Sequence, residues 1–355
     1  MTLSWLTDLR GAIPKKLKTP LILGGVLVFF GAWLLLSAGS SPIIPGYALP
    51  HPSRVWNAFG DLYRDNELIR NITISIAHNL GGYIKAILWA IPLGFLIGML
   101  PVFRGSLQPL IGAIRFLPLT AVTSLFIVWY GIGSEMKINF LAFGIFIYLL
   151  PTVILRIDEV DDVYVKTVYT LGASKWQTIK SVFLPAVVSR LIDDIRVLTA
   201  ISWTYIIVAE TTAATGGLGP LTFAAQRQGR VDKTFAILLL IMFIGLVQDR
   251  IFVYLDRKFF PYKYQTKPGY DEKANLKKVS VWDSIFDYVF QVVSILALVL
   301  YVLIVINEYT AVFSDIKIMD YFFGDRSWTI HFIILSIIGY TGYKLYQKYI
   351  LKADL

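Results

Sequence analysis

The charges of this 355-residue chain are gathered into islands, and the apolar stretches between them decide what it can fold into. Nothing is charged between Lys18 and Arg54, and Lys85 is the only charge between Arg70 and Arg104. Later gaps run from Arg115 to Glu135, Lys137 to Arg156, Arg196 to Glu210, Lys233 to Asp249, Asp287 to Glu308 and Arg326 to Lys344. A helix needs roughly 20 mostly apolar residues to cross a bilayer core. A lone apolar strand would leave its backbone groups unsatisfied in lipid. The pattern therefore predicts an all-α integral membrane protein with eight spans, near 20–38, 73–99, 109–130, 138–156, 190–211, 233–255, 285–306 and 328–348. Composition agrees: 56% of residues are hydrophobic and 16% charged, too apolar for a soluble fold of this length. With no cysteine, disulfides and thiolate chemistry are excluded; with three histidines a histidine-rich metal site is not expected, nor is a catalytic or cofactor-binding constellation. The first run is longer than the 7–15 apolar residues of a signal peptide, so it reads as a span.

Orientation follows from lysine and arginine in the loops. With the N-terminus inside, the inner segments hold roughly twice as many as the outer ones. The inner set includes Lys15, Lys16, Arg104, Arg156, Lys166, Lys175 and the run from Arg257 to Lys278. The outer set includes Arg54, Arg64, Lys137, Arg227 and Arg230. Both termini are thereby expected in the cytoplasm of a bacterial-type inner membrane. The net charge of +9 becomes an orientation signal rather than a sign of nucleic-acid binding.

The inner segment 157–187 is more than a connector. Val160, Val163, Val168 and Leu171 recur at near-helical spacing, opposite Asp158, Asp161, Asp162 and Lys166. Gly172 sits at a natural C-cap. Ser174 with Gln177 three residues on forms a capping box for a second helix, which Pro185 is expected to end. The pattern fits a helix–turn–helix gripped by another protein, and equally an amphipathic hairpin resting on the membrane surface.

Gly172, nine residues, then Val182-Phe183-Leu184-Pro185 resembles the E-A-A-x3-G-x9-I-x-L-P signature of ATP-binding-cassette importer permeases. Thr170-Leu171-Gly172-Ala173-Ser174 is similar to the nitrate/sulfonate/taurine/bicarbonate group of that family. So are Leu49-Pro50-His51-Pro52-Ser53, Pro118 with Trp129-Tyr130-Gly131-Ile132-Gly133, and Trp203, Ala209-Glu210 and Gly217-Leu218-Gly219. Three features depart from the pattern. Lys166, Thr167 and Val168 stand at the E-A-A positions, Asp194 stands where the group often has glycine, and roughly 95 residues follow the usual end.

The resemblance implies a six-span type I importer-like permease core, and the apolar runs beyond its usual end add a C-terminal two-helix transmembrane hairpin. Together they divide the chain into 1–45 (N-terminal segment and first span), 46–260 (permease core), 261–284 (inner linker) and 285–355 (accessory hairpin and tail). The resemblance also implies partners: a second permease subunit, two ATPase subunits that hold ATP and Mg, and an external solute-binding protein. No G-x-x-x-x-G-K-[ST] phosphate cradle occurs in this sequence, so hydrolysis is expected on a partner chain rather than here. The solute implied is a small anion or organic acid such as nitrate, sulfonate, taurine or bicarbonate, moved by alternating access. By position, Val160, Val163, Tyr164, Thr167, Val168, Leu171, Gly172, Ala173 and Ser174 would couple to the ATPase.

Candidate path or gating residues come from intramembrane polarity. Arg196, Trp203 and Glu210 fall seven apart, hence on one face of the 190–211 span, with Thr199 and Ile206 close to that face. Lys85 lies deep in the second span, where it meets solute or snorkels. Arg196 also fits simple pairing with Asp193 or Asp194, and Glu210 a structural role. His78 reads as a packed polar residue or a proton relay. Thr211, Thr212, Thr215 and Gly216-Gly217 form an outer polar loop, and Trp56, Phe59 and Tyr63 give 46–69 the look of an interfacial helix. Glycines 81, 82, 94 and 98 fit either a dimer interface or packing within the chain. An ion-gradient-driven secondary transporter, using Lys85, His78 and Glu210, is the competing reading.

Overall fold

The computed structural model describes residues 15–39, 41–212, 216–264, 281–310, 317–323 and 327–349. The described residues are helical apart from short connections. They fall into two compact units, one holding the residues up to Asn66 with Thr222–Leu239, the other holding Glu67–Leu221 and the residues from Leu240 on.

In the first unit, α1 (Lys15–Ser37) is an apolar span whose side chains are largely exposed, as a lipid-facing helix requires. Trp33 is its buried anchor: the indole N–H donates to the Pro50 carbonyl at 3.0 Å, and the ring lies 6.1 Å from Phe235. Helix α2 (Pro52–Asp65) begins where the His51 ring accepts from the Ser53 N–H, with proline at the first helical position. It buries Val55, Ala58 and Leu62 along one face, while Trp56 and Tyr63 remain 77% and 64% exposed. That is the aromatic outer face expected of an interfacial helix.

The second unit is organised around α3 (Leu68–Met99) and α6 (Ser134–Asp158). The four α3 glycines are used within the chain. A Cβ at Gly82 would come 2.7 Å from Leu141, and one at Gly98 would come 2.7 Å from Ile157; Gly81 and Gly94 meet Ile138 and Val153 of the same helix. Only glycine lets the two backbones approach this closely. A core of Leu119, Phe126, Met136, Phe140, Ile147 and Ala209 fills the space beside α6.

Two boundaries differ from the sequence reading. The span expected at 109–130 is broken into α4 (Pro101–Ile114) and α5 (Leu119–Tyr130), bent by 105°. Pro118 causes the break: it cannot donate, and it forces the preceding residue out of helical geometry. Conversely, Pro185 does not end a helix. After α7 (Asp162–Thr170) and α8 (Lys175–Thr178), a π turn at Ile179–Phe183 runs directly into α9 (Leu184–Thr212). There the Leu184 N–H reaches back five residues to Ile179, a widened turn that admits the proline ring.

The remaining helices are α10 (Leu218–Arg227), α11 (Val231–Phe259), α12 (Val281–Thr310), α13 (Ile318–Phe323) and α14 (Ser327–Tyr349). Among the described residues five helices are long and apolar enough to cross a membrane, or six with the bent α4–α5 pair. Helix α9 is not among them, because Arg190, Asp193, Asp194, Arg196 and Glu210 lower its hydropathy. Helices α12 and α14 meet as a hairpin, with the Tyr301 hydroxyl 2.7 Å from His331 Nδ1, and the described apolar part of α14, Ser327–Gly339, is shorter than the span expected at 328–348. Short α13 fastens the hairpin to α3: Arg70 donates to the Tyr321 carbonyl at 3.1 Å, and the Thr73 hydroxyl donates to the Phe322 carbonyl. Most of the linker expected at 261–284 and the first fourteen residues lie outside the described set.

Candidate functional site

The 157–187 segment folds as the expected helix–turn–helix. Asp161 caps α7 by accepting from the Val163 N–H at 2.9 Å. Gly172 takes φ +81, the left-handed geometry that glycine tolerates, and turns the chain. The capping box forms on α8: the Ser174 N–H donates to Gln177 at 2.7 Å, and Ser174 Oγ accepts from the Gln177 N–H at 3.3 Å. Helix α7 buries no residue at all. Val163, Tyr164 and Leu171 are 63%, 64% and 80% exposed, and Thr167, Gly172 and Ser174 are exposed beside them. Val168 and Ala173 are half-buried. Val160 departs from this group. It precedes the helix and is buried, so it anchors the root of the loop. Two aromatic residues missed in the sequence join the surface, Tyr169 and Trp176, at 49% and 71% exposed. A tryptophan two residues after the capping serine, in an otherwise polar stretch, was the available signal.

The α9 candidates sit elsewhere. Thr199, Trp203, Ile206 and Glu210 are all buried against the chain's own helices, and Arg196 is half-buried. Arg196 pairs with Asp249 at 2.9 Å and reaches Asp193 at 3.5 Å. The Trp203 indole donates to Gln248 at 2.9 Å. The opposite side of α9, with Val197, Ala200 and Thr204, is exposed. Lys85 is partly exposed; its ammonium donates to Asn139 Oδ1 at 2.9 Å and lies 3.7 Å from Glu135. Beside it Trp89, Phe143 and Phe146 line an apolar groove of about 210 Å³.

Glu210 is the centre of a fully buried polar cluster. Its carboxylate accepts from Ser75 Oγ at 2.8 Å, from His78 Nδ1 at 2.9 Å and from the Gly219 N–H at 3.0 Å. The other ring nitrogen, Nε2, faces Ser134 Oγ at 3.0 Å. Ser75 Oγ also accepts from the Leu218 N–H at 2.8 Å, and Asn71 accepts from the Gly217 N–H at 2.8 Å. Buried Lys137 donates to the Gly216 carbonyl at 3.2 Å. The whole cluster therefore binds the 216–219 turn to α3, α6 and α9. Both glycines are needed: side chains at Gly217 or Gly219 would overlap Glu210. Thr211 and Thr212 bond back to the Val208 carbonyl within α9, and Thr215 lies outside the described residues.

The loop end of the spans carries a second polar system. Arg156 donates to Asp194 at 2.8 and 2.7 Å and to Glu159 at 2.7 Å; Arg190 also reaches Glu159. Asp194, the residue that departs from the glycine pattern, is thus fully engaged. Buried Asp256 accepts from Lys263 at 2.7 Å and from the Tyr264 hydroxyl at 2.5 Å. Among the described residues no group of three or more acidic or histidine side chains is placed to hold a metal ion.

Comparison with known proteins gives a consistent result. Residues 90–261 match the family described as binding-protein-dependent transport system inner membrane component. A protein of Methanocaldococcus jannaschii described as an ABC transporter permease is 31% identical over 241 residues, covering 66% of this chain and 89% of that protein. The taurine transport system permease protein of Escherichia coli is 27% identical, covering 66% and 85%. The nitrate import permease protein of Synechococcus elongatus is 26% identical, covering 66% and 87%.

Proposed function

We propose, from the premise that the chain belongs to the binding-protein-dependent transport inner membrane component family, that it is the membrane subunit of an ATP-driven importer. It imports a small anion or organic acid of the nitrate, sulfonate, taurine or bicarbonate class. Relatives named for taurine and nitrate transport support that class. In the proposed assembly two permease subunits face each other, two ATPase subunits bind ATP and Mg on the inner side, and a solute-binding protein delivers from outside. Both termini lie in the cytoplasm, in keeping with the lysine and arginine bias.

The observation that carries this reading is the exposure of α7. A short helix presents Val163, Tyr164, Leu171 and nearby Trp176 to solvent without packing any of them on its own chain. Apolar and aromatic side chains held out on an ordered loop suit a protein groove, where such anchors dominate binding. ATP-driven closure of the ATPase pair moves the seated helix, and the spans follow.

In this reading, Arg196, Thr199, Trp203, Ile206 and Glu210 position α9, while its exposed stripe of Val197, Ala200 and Thr204 lines the path. Lys85 stands beside the path as a charge toward an anionic solute. Copurification is the test. A tagged chain should bring down an ATPase carrying the G-x-x-x-x-G-K-[ST] cradle, and Leu171→Asp with Trp176→Asp should abolish that association while the chain remains folded. Retention of the ATPase by that double variant would overturn the docking assignment.

A further inference from the structure

Because α7 buries nothing, force applied to it can reach the spans only through the two roots of its loop. Those roots are tied to each other. Glu159, the first residue after α6, accepts from Arg156 at 2.7 Å and from Arg190 of α9 at 3.2 Å. Arg190 donates to the Glu159 carbonyl as well, at 3.0 Å. Arg156 continues to Asp194, one turn further along α9, through two parallel bonds. Four charges thus alternate across the base of the loop, Arg190–Glu159–Arg156–Asp194, two from the end of α6 and two from α9. Val160, next in the chain after Glu159, is buried.

The exposure of these groups runs from 19% for Asp194 to 46% for Arg190. An isolated ion pair that exposed holds little. This set differs in geometry. One guanidinium grips Asp194 bidentately while also holding Glu159, and such forked bonds fix orientation as well as distance. The arrangement also explains a departure from the resembled pattern, since a glycine at 194 would leave Arg156 with only one partner.

We infer that Arg156, Glu159, Arg190 and Asp194 are positioning residues that close the base of the 157–187 loop, so that motion of α7 is passed to α6 and α9 together. The inference rests on the loop being the ATPase-coupling element. Without the clamp the loop would flex on its roots, and ATP would be hydrolysed with less solute moved.

The natural absence of cysteine allows the test without background labelling. Spin labels at Tyr169→Cys and Thr204→Cys, in chains diluted with unlabelled protein in bilayer discs, report the loop-to-α9 distance. A narrow distribution is expected for the parent, broadened by Glu159→Gln or Arg190→Gln and kept narrow by Arg190→Lys. The Glu159→Gln/Arg190→Gln double variant should broaden it by less than the sum of the two single changes, because part of each effect is the bond the two side chains share. In complex with the copurifying ATPase, each Gln variant should lower solute moved per ATP several-fold while retaining the ATPase. Unchanged distances in the single variants, additive broadening, or an unchanged transport ratio would each overturn the clamp. Failure of the parent chain to bind any ATPase would instead sink the coupling reading, while the distances still report on the clamp.

Discussion

Removing the Glu210 carboxylate should destabilise the permease far more than an average substitution. Glu210→Ala strands three buried donors at once: the Ser75 hydroxyl, the His78 Nδ1–H and the Gly219 N–H. Each buried donor left unpaired costs about 1–3 kcal/mol. Partial relaxation, such as Ser75 turning to another acceptor, brings the total to about 3–6 kcal/mol. Glu210→Gln keeps one carbonyl acceptor in place and should cost only about 1–3 kcal/mol. The same cluster holds the 216–219 turn, so Gly219→Ala, whose Cβ would come 2.5 Å from Glu210 Cβ and 2.8 Å from the Ile207 carbonyl oxygen, should resemble the alanine variant. Thermal unfolding in detergent, followed by tryptophan fluorescence, orders the variants. Expected is parent, then Gln, then Ala and Gly219→Ala close together. If Glu210→Ala melted within about 1 kcal/mol of the parent, the cluster would not be the lock described here.

Gly94→Val should disrupt the α3–α6 contact, because even a single Cβ would come 2.5 Å from Val153; overpacking of this kind costs about 1–3 kcal/mol and is read as a lower melting temperature. Gly94→Val combined with Val153→Ala should recover part of that loss. Acid should release the loop clamp only at low pH. The Arg156 hydrogen bond, with smaller help from the charges of Arg156 and Arg190, holds the Glu159 carboxyl below its ordinary 4.5 against an opposing burial effect. A depressed folded value means the contribution is fully present above 4.5 and is lost as pH falls through the lower folded value, so the label distribution should stay narrow down to 4.5. Broadening near neutrality would contradict this. Breaking the α13 anchor with Thr73→Val and Arg70→Leu should loosen the C-terminal hairpin, seen as faster proteolysis between α11 and α12, with ATPase association unchanged.

Much of this architecture was legible because lipid imposes a one-dimensional signal. A run of apolar residues between charges marks α1, α3, α6, α11 and α12 almost to their ends. The 157–187 motif was legible for a different reason: capping chemistry at Asp161, Gly172, Ser174 and Gln177 is local, and each bond lies within a few residues. The bend at Pro118 and the passage through Pro185 were not readable from hydropathy, because a proline breaks one helix and is absorbed in another by a π turn further upstream. The α9 residues show the limit most clearly. Heptad spacing correctly put Arg196, Trp203 and Glu210 on one face, but spacing carries no information on what that face meets. Its partners, Ser75, His78, Gln248 and Asp249, lie on other helices 45 to 135 residues away in sequence, so only the folded chain brings them together.

The central claim is that this chain transports by borrowing ATP hydrolysis through α7. Its most direct test is uptake into proteoliposomes holding the chain, its copurifying ATPase and its delivery protein, with labelled taurine, an alkyl sulfonate, nitrate and bicarbonate offered in turn. At least one of these should accumulate in a way that requires ATP on the ATPase side and that disappears with Leu171→Asp/Trp176→Asp. Accumulation by the chain alone, driven by a proton or sodium gradient without ATP, would contradict it.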